Sequence, residues 1–309
     1  SIARSAAATP RGYRSVPLTL NTNRSSMTAH RHLMSGSRRL NQAIRRLSSG
    51  MRMESAADNP AGIAIRENMR AQQGGLKQAL RNSNDAVGML NVAESGLQSI
   101  SDLQIRMREL AVQAANDSIS DTERGYLDTE FQDLKGEITR VANVTEYNGI
   151  QLLDGTGGDS FVSGTTGPAV AGYGAGSQFS SFTFQIGARN TGSDQLRVDI
   201  AAGVFTGMAP ENLLDQGAAQ SAIDVMDSAL DLNNRGRARI GSKIRAFNAA
   251  SDYLSSAILN VGQSISQIAD TDMAEESSAF SREQVLQQAG VAMLSQANQQ
   301  PNLVLRLLG

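Results

Sequence analysis

The run Ile240–Ile268, IGSKIRAFNAASDYLSSAILNVGQSISQI, decides the fold class. Within it Ile240, Ile244, Phe247, Leu254, Ile258, Val261, Ile265 and Ile268 recur at alternating steps of four and three, and only Ser251 interrupts the series. That spacing is a heptad seam on a long helix. A stripe so narrow cannot bury itself, so other helices of the chain must supply matching stripes.

They lie earlier and later in the sequence. Asn21, Thr22 and Asn23 offer caps for a helix whose seam is Leu33, Ser37, Leu40, Ile44 and Leu47, closed by Ser48, Ser49 and Gly50. Asp58 or Asn59 caps the next start, with Pro60 at the first helical position. From there Met69, Leu76, Leu80, Val87, Leu90, Leu97, Ile100, Met107 and Leu110 describe one very long helix reaching Asn116. Gly74 and Gly75 weaken it by roughly 1 kcal/mol each relative to Ala. Ser120 and Glu123 form a capping box for a third helix carrying Leu127, Phe131, Leu134, Ile138 and Val141, antiparallel to the second because the turn between them is short. Helix resumes after Pro210 with Ile223, Met226 and Leu230 on its face. A last helix over 272–299 carries Phe280, Leu286 and Met293; Pro301 is expected to stop it, leaving Leu303, Val304, Leu305, Leu307 and Leu308 as an apolar tail.

The period changes between Tyr147 and Pro210. Residues 155–178 hold eight Gly in 24 positions and no period, which reads as a loop or small irregular lobe. Phe182, Phe184 and Ile186 then alternate, as do Leu196, Val198 and Ile200, across a Gly-containing turn: a β-hairpin. The fold class is mainly α, with long antiparallel coiled-coil helices from both termini and a small β-hairpin region.

Composition narrows the chemistry. Aromatic residues are 4%, Trp and Cys are absent, and the two histidines, His30 and His32, sit two apart on a helix and face different sides. Thin helix–helix seams and an elongated molecule fit this better than thick globular cores. No disulfide, thiolate metal site or thiol nucleophile is available, and no apolar run approaches the roughly 18 residues that span a bilayer. Gly236 and Gly241 have a P-loop interval but are followed by Ser242-Lys243 and lie inside the heptad rod. No metal, cofactor or enzyme site is expected. Net charge is −2, yet residues 1–53 hold ten Arg and no acid, while 270–309 hold five acids and two Arg. The ends are expected to pair with each other or with neighbouring copies; a basic nucleic-acid-binding coiled coil is the rival reading of the arginines. Residues 1–17 lack the apolar core of a secretory signal.

Several words of the sequence resemble bacterial flagellin. They are NTN at 21–23, RRLSSGMRMESAADNPAGIAI at 45–65, RMRELAVQAAN at 106–116, EYNGIQLLDG at 146–155, FQIGA at 184–188 and SREQVLQQAGVAMLSQANQQPNLVLRLL at 281–308. The resemblance implies a subunit of the extracellular flagellar filament, of a short form lacking large outer domains. It implies a division into an N-terminal extension (1–20), terminal helices forming the filament core layer (21–57 and 267–309), a helical-bundle and hairpin layer (58–154 and 179–266), and a short Gly-rich loop (155–178) in place of outer domains.

Polymerisation and core packing are then expected of Leu33, Leu40, Ile44, Leu47, Ile258, Val261, Ile265, Ile268, Phe280, Leu286 and Met293. The resemblance also implies partners: further copies of the chain, an export chaperone on the C-terminal helix, and filament cap and hook-junction proteins, after type III export unfolded. It implies a vertebrate Toll-like receptor as well, whose surface on the family matches Arg106, Leu110 and Glu130 here. Neither nucleic acid binding nor membrane insertion is implied. A hook–filament junction protein shares paired terminal helices and is the nearest alternative; an enzyme-bearing flagellin would need an insert for which 155–178 leaves no room.

Overall fold

The computed structural model describes residues 23–159, 161–162, 178–202 and 212–308. The N-terminal extension, most of the Gly-rich loop and the side chains of the apolar tail lie outside the described residues. Five helices dominate: α1 (Arg24–Ser49), α2 (Pro60–Ala114), α3 (Asp121–Val144), α4 (Gln216–Ala269) and α5 (Met273–Leu308).

Local chemistry sets the helix ends. The Asn23 side chain accepts from Ser26 N at 3.0 Å, and Gly50, with φ of 69°, closes α1 by donating to Arg46 O at 2.8 Å. Asn59 Oδ1 accepts from Gly62 N, so Asn59 caps α2 with Pro60 behind it. Ser120 and Glu123 exchange both bonds of the capping box at α3. Asp215 and Asp272 accept from the first turns of α4 and α5. The expected stop at Pro301 does not occur, because α5 continues as helix to Leu308. Proline removes one donor from the helix ladder and orphans the carbonyl four residues back, and that carbonyl, on Ala297, is supplied by Asn23 instead.

The chain divides into two compact units, one of Ser1–Arg66 and Ile265–Gly309 and one of Glu67–Ser264. The core of the second runs between the parts of α2 and α4 it contains. On α2 the buried positions Leu76, Ala79, Ser83, Ala86, Leu90, Ala93, Leu97, Ile100, Gln104, Met107, Ala111 and Ala114 step by three and four without a break. On α4, Ile240, Phe247 and Leu254 are buried every seventh residue. The rods are antiparallel: Arg237 pairs with Glu94, Ser83 Oγ donates to Phe247 O, and Gln73 reaches Ile258 O. Alanine and serine at alternate seam positions let the two backbones approach closely. Ser251, the interruption in the heptad series, donates to the buried Ser83 hydroxyl at 3.0 Å, which gives the break a polar partner across the seam.

One buried amide sits farther along. Asn233 Nδ2 donates to Leu97 O and Gln104 Oε1, and its Oδ1 is buried with no hydrogen-bond partner. Buried amides in helix seams fix register at some cost in stability.

The strands pack on these rods. β1 (Glu146–Tyr147) and β2 (Ile150–Gln151) are joined by Asn148 and Gly149, both at positive φ, the geometry of a tight two-residue hairpin turn. β3 (Phe161–Val162), β4 (Gln178–Gln185) and β5 (Gln195–Ala202) form an antiparallel sheet in that order, with Phe182 opposite Val198. The hairpin read from the alternation is β4 and β5; β4 starts at Gln178, before the alternation shows, and β3 falls within the stretch read as loop. Phe184 meets Phe247 edge-on at 5.4 Å, fastening the sheet to α4. Gly75 allows a close approach where the turn after β4 arrives, since a Cβ there would lie 3.0 Å from Ala188 Cβ.

Candidate assembly surface

In the terminal unit α1 and α5 run antiparallel. Asn23 reaches Ala297 O, Ser26 reaches Asn298, Arg39 pairs with Glu283 at 2.8 Å and Arg46 with Glu276 at 3.6 Å. Beyond α1 the chains stay side by side, with Arg52 N donating to Ala269 O and Thr271 N to Gly50 O. The basic first segment and acidic last segment therefore do pair with each other.

Between the two helices large apolar residues are interspersed with small or polar ones. On α1 the inward row is Ser26, Ala29, Leu33, Gly36, Leu40, Ala43 and Leu47, with Gly36 and Ala43 fully buried. Its α5 counterpart is Glu276, Phe280, Glu283, Gln287, Gly290, Leu294 and Ala297, also at steps of four and three. Gly290 brings the backbone against Leu33, whose Cδ1 would lie 3.3 Å from an added Cβ. The seam read from large residues placed Ser37 and Ile44 where the structure places Gly36 and Ala43, one position away.

Other large apolar side chains of the pair are exposed. Ile44 is 45% exposed, and Met27, Met34, Val285, Leu286, Val291 and Met293 are exposed as well. Leu33, Leu40, Leu47 and Phe280 are half-buried, as are Ile265 and Ile268. Ile258 and Val261 pack in the other unit on the cluster of Leu76, Ala79 and Leu254. The residues expected to pack or polymerise thus separate into inward ones and three outward ones, Ile44, Leu286 and Met293.

Charge supports the α1–α5 register. Hydrogen bonds from Arg39 hold the Glu283 carboxyl below its usual range, and the same contact raises Arg39. In the second unit Arg106 donates to Glu130 at 2.7 Å and to Glu109 at 3.2 Å, bonds that raise its basicity, Glu130 first. Arg106 and Glu130 are accessible on the α2–α3 face, but Leu110, one turn on, is 1% exposed and belongs to the core.

Sequence reasoning passed over Arg124. It is buried near the start of α3, and donates to Ala114 O at 3.0 Å, Asn116 O at 3.2 Å and Asp121 at 2.8 Å, tying off the end of α2. A cation beside a helix N-terminus is unfavourable for the dipole, and that oddity was the available signal.

Little here suggests catalysis. Among the described residues no group of His, Asp and Glu is arranged to hold a metal, and His30 and His32 are both exposed. Gly236 and Gly241 lie within α4. A shallow depression of about 390 Å³ beside Gly75, Gln78, Asn82 and Arg189 is open to solvent, and the Gln78, Asn82 and Gln185 amides there are bonded to one another or to backbone. No helix is long and apolar enough to cross a membrane among the described residues.

Comparison with known proteins settles what the paired ends belong to. Residues 20–157 match the model of the bacterial flagellin N-terminal helical region, and residues 223–308 that of the bacterial flagellin C-terminal helical region. A flagellin of Halalkalibacterium halodurans is 37% identical over 295 residues, covering 94% of this chain and 100% of that protein. The chain belongs to the flagellin family. This flagellin is also similar to a flagellar filament 30.7 kDa core protein of Treponema maltophilum, 34% identical over 94% of this chain and 100% of that one. A solved structure of a putative flagellar hook-associated protein from Vibrio parahaemolyticus covers 69% of this chain and 100% of its own, at 15% identity and a TM-score of 0.51, a likeness of fold alone. As a flagellin, the chain is a structural subunit of the flagellar filament, extracellular and serving motility, and it polymerises with further copies of itself.

Proposed function

We propose that this flagellin polymerises through the outward faces of α1 and α5. Residues 21–57 and 267–309 form the inner layer of the filament, and 58–154 and 179–266 the helical and hairpin layer around it. The observation that carries this reading is the set of large apolar side chains, Met27, Met34, Val285, Leu286, Val291 and Met293 among them, that the terminal pair leaves exposed outside its seam. Met34, Ile44, Leu286 and Met293 in water cost free energy until a neighbour covers them. Repeating such a contact by a rotation that does not close gives an open helical polymer.

The same incompleteness suits delivery. A cysteine-free chain whose ends bury little on their own can be exported unfolded by the type III route, with a chaperone covering the C-terminal helix until release. Filament cap and hook-junction proteins would engage the same faces at the two ends of the polymer. The vertebrate Toll-like receptor surface is Arg106 with Glu130; Leu110 acts beneath them by packing.

Seeded elongation of full-length subunits tests the assembly surface. Met34→Glu and Leu286→Glu, both at exposed positions, should leave the circular dichroism spectrum intact and abolish elongation. Wild-type elongation by both variants sinks the reading. For the receptor, an Arg106→Ala, Glu130→Ala monomer should lose signalling.

A further inference from the structure

We propose that Met27, Met34 and Met293 form an oxidant-sensitive control on assembly: their thioethers are open to peroxide in the free subunit, and sulfoxides there block docking of the next copy. The inference deepens the assembly surface argued above and rests on it.

The exposed methionines among the described residues all lie in one unit. Among the described residues Met27, Met34, Met51, Met273 and Met293 are exposed, and all five fall in the unit of Ser1–Arg66 and Ile265–Gly309. They make up half of the ten large hydrophobic side chains exposed among that unit's described residues. The described residues of the unit Glu67–Ser264 expose nine, all Val, Ile, Leu or Tyr, while Met89, Met107 and Met226 there are buried. Apolarity alone does not explain that division. Met27 and Met34 stand seven residues apart on α1, in one row two turns long, and Leu286 and Met293 repeat the arrangement on α5. Met51 differs, since its sulfur lies 3.9 Å from a guanidinium nitrogen of Arg66.

Methionine suits a face that must adapt to a neighbour, because it is unbranched and polarisable. The same sulfur is chemically soft. A thioether lone pair attacks one oxygen of hydrogen peroxide, the O–O bond breaks as the S–O bond forms, and a proton shift releases water. The sulfur loses two electrons and the peroxide gains them. The product is polar and chiral, and it disrupts Met-rich contacts until sulfoxide reductases return it to the thioether. In the polymer the row is covered, so the sensitivity belongs to the subunit before assembly.

The test uses the full-length subunit, treated with hydrogen peroxide, mapped by peptide mass spectrometry and added to seeds sheared from untreated filaments. Sulfoxide is expected at Met27, Met34 and Met293 while Met53, Met89, Met107 and Met226 are still reduced. The subunit concentration needed for elongation should rise roughly tenfold or more, since burying an unpaired polar group costs more than a kilocalorie or so. The two methionine sulfoxide reductases, one for each epimer, with a dithiol should restore it. A Met27→Leu, Met34→Leu, Met293→Leu variant should elongate to the same extent before and after peroxide, whatever its own starting rate, and preformed filaments should be spared at these three positions. Uniform oxidation of all methionines, unimpaired elongation by the oxidised subunit, or a leucine variant that peroxide still poisons overturns the proposal. An untreated subunit that never elongates seeds is a distinguishable failure, which removes the assembly surface itself and this proposal with it.

Discussion

The side-chain amide of Asn23 donates to the carbonyl oxygen of Ala297 at 2.7 Å, while its oxygen accepts from Ser26 N at 3.0 Å. One residue therefore caps the start of α1 and serves a carbonyl near the end of α5. That carbonyl is the one an N–H at position 301 would have bonded, and Pro301 has none. Asn23→Asp keeps the cap acceptor and loses the donor, so it should cost about 1 kcal/mol or more. In a Pro301→Ala background the new N–H serves Ala297, and the cost of Asn23→Asp should shrink. A double-mutant cycle by urea unfolding measures the difference; equal costs in both backgrounds would show that the two ends are not coupled through this bond.

Arg124 should be far more important to stability than an ordinary surface arginine. Its guanidinium satisfies Ala114 O from a buried position and adds a bond to Asn116 O, which also accepts from Ile119 N; removing it leaves the Ala114 carbonyl without its donor. Arg124→Ala is expected to destabilise by roughly 3 kcal/mol. Asp121→Asn, at a side chain 92% exposed, should change little. Chemical denaturation of the two variants side by side checks the ranking.

Two glycines of α2 should respond to alanine with opposite signs. Nothing lies within 4 Å of a Cβ added at Gly74, so Gly74→Ala gains helix propensity of up to about 1 kcal/mol. At Gly96 the same atom would sit 2.8 Å from Leu153 Cδ1 and from Thr145 Oγ1, where the chain after α3 presses on α2. Overpacking of that kind costs about 1–3 kcal/mol and outweighs the propensity gain. Thermal unfolding should move the two midpoints apart.

Acid should loosen the pairing of α1 with α5. The Glu283 carboxyl is held below its ordinary range by hydrogen bonds from Arg39, so its folded pKa is the depressed one. Its contribution is present above the ordinary carboxylate pKa of about 4.3 and is lost as pH falls through the lower folded value. Glu283→Gln should therefore be less stable than wild type at neutral pH and indistinguishable from it in strong acid. Asp227 beside Arg108 and Glu137 beside Arg140 are depressed in the same way, so the substitution should remove only part of the acid limb. Thermal midpoints across pH read the gap between variant and wild type; a gap that persists in acid would assign the effect to packing.

The sequence by itself determined the rods, most of their ends and the family. Heptad spacing in 240–268, Asn23, Gly50, Pro60 and the Ser120–Glu123 box are local signals, since a helix face and a cap each need only a few neighbouring residues. The hairpin was legible for the same reason, from the alternation of Phe182 and Phe184 against Leu196 and Val198. The tertiary structure alone decided which small residues complete the seams and how the α1 seam is registered. Ala79, Ala86 and Ala93 on α2, and Gly36 and Ala43 on α1, fill the seams because small side chains let backbones approach, yet they carry no apolar weight in a pattern of large residues. Pro301 within a helix and Arg124 as a buried clasp were likewise illegible. Each depends on a partner brought near by folding: Asn23 for the orphaned carbonyl and the end of α2 for the guanidinium.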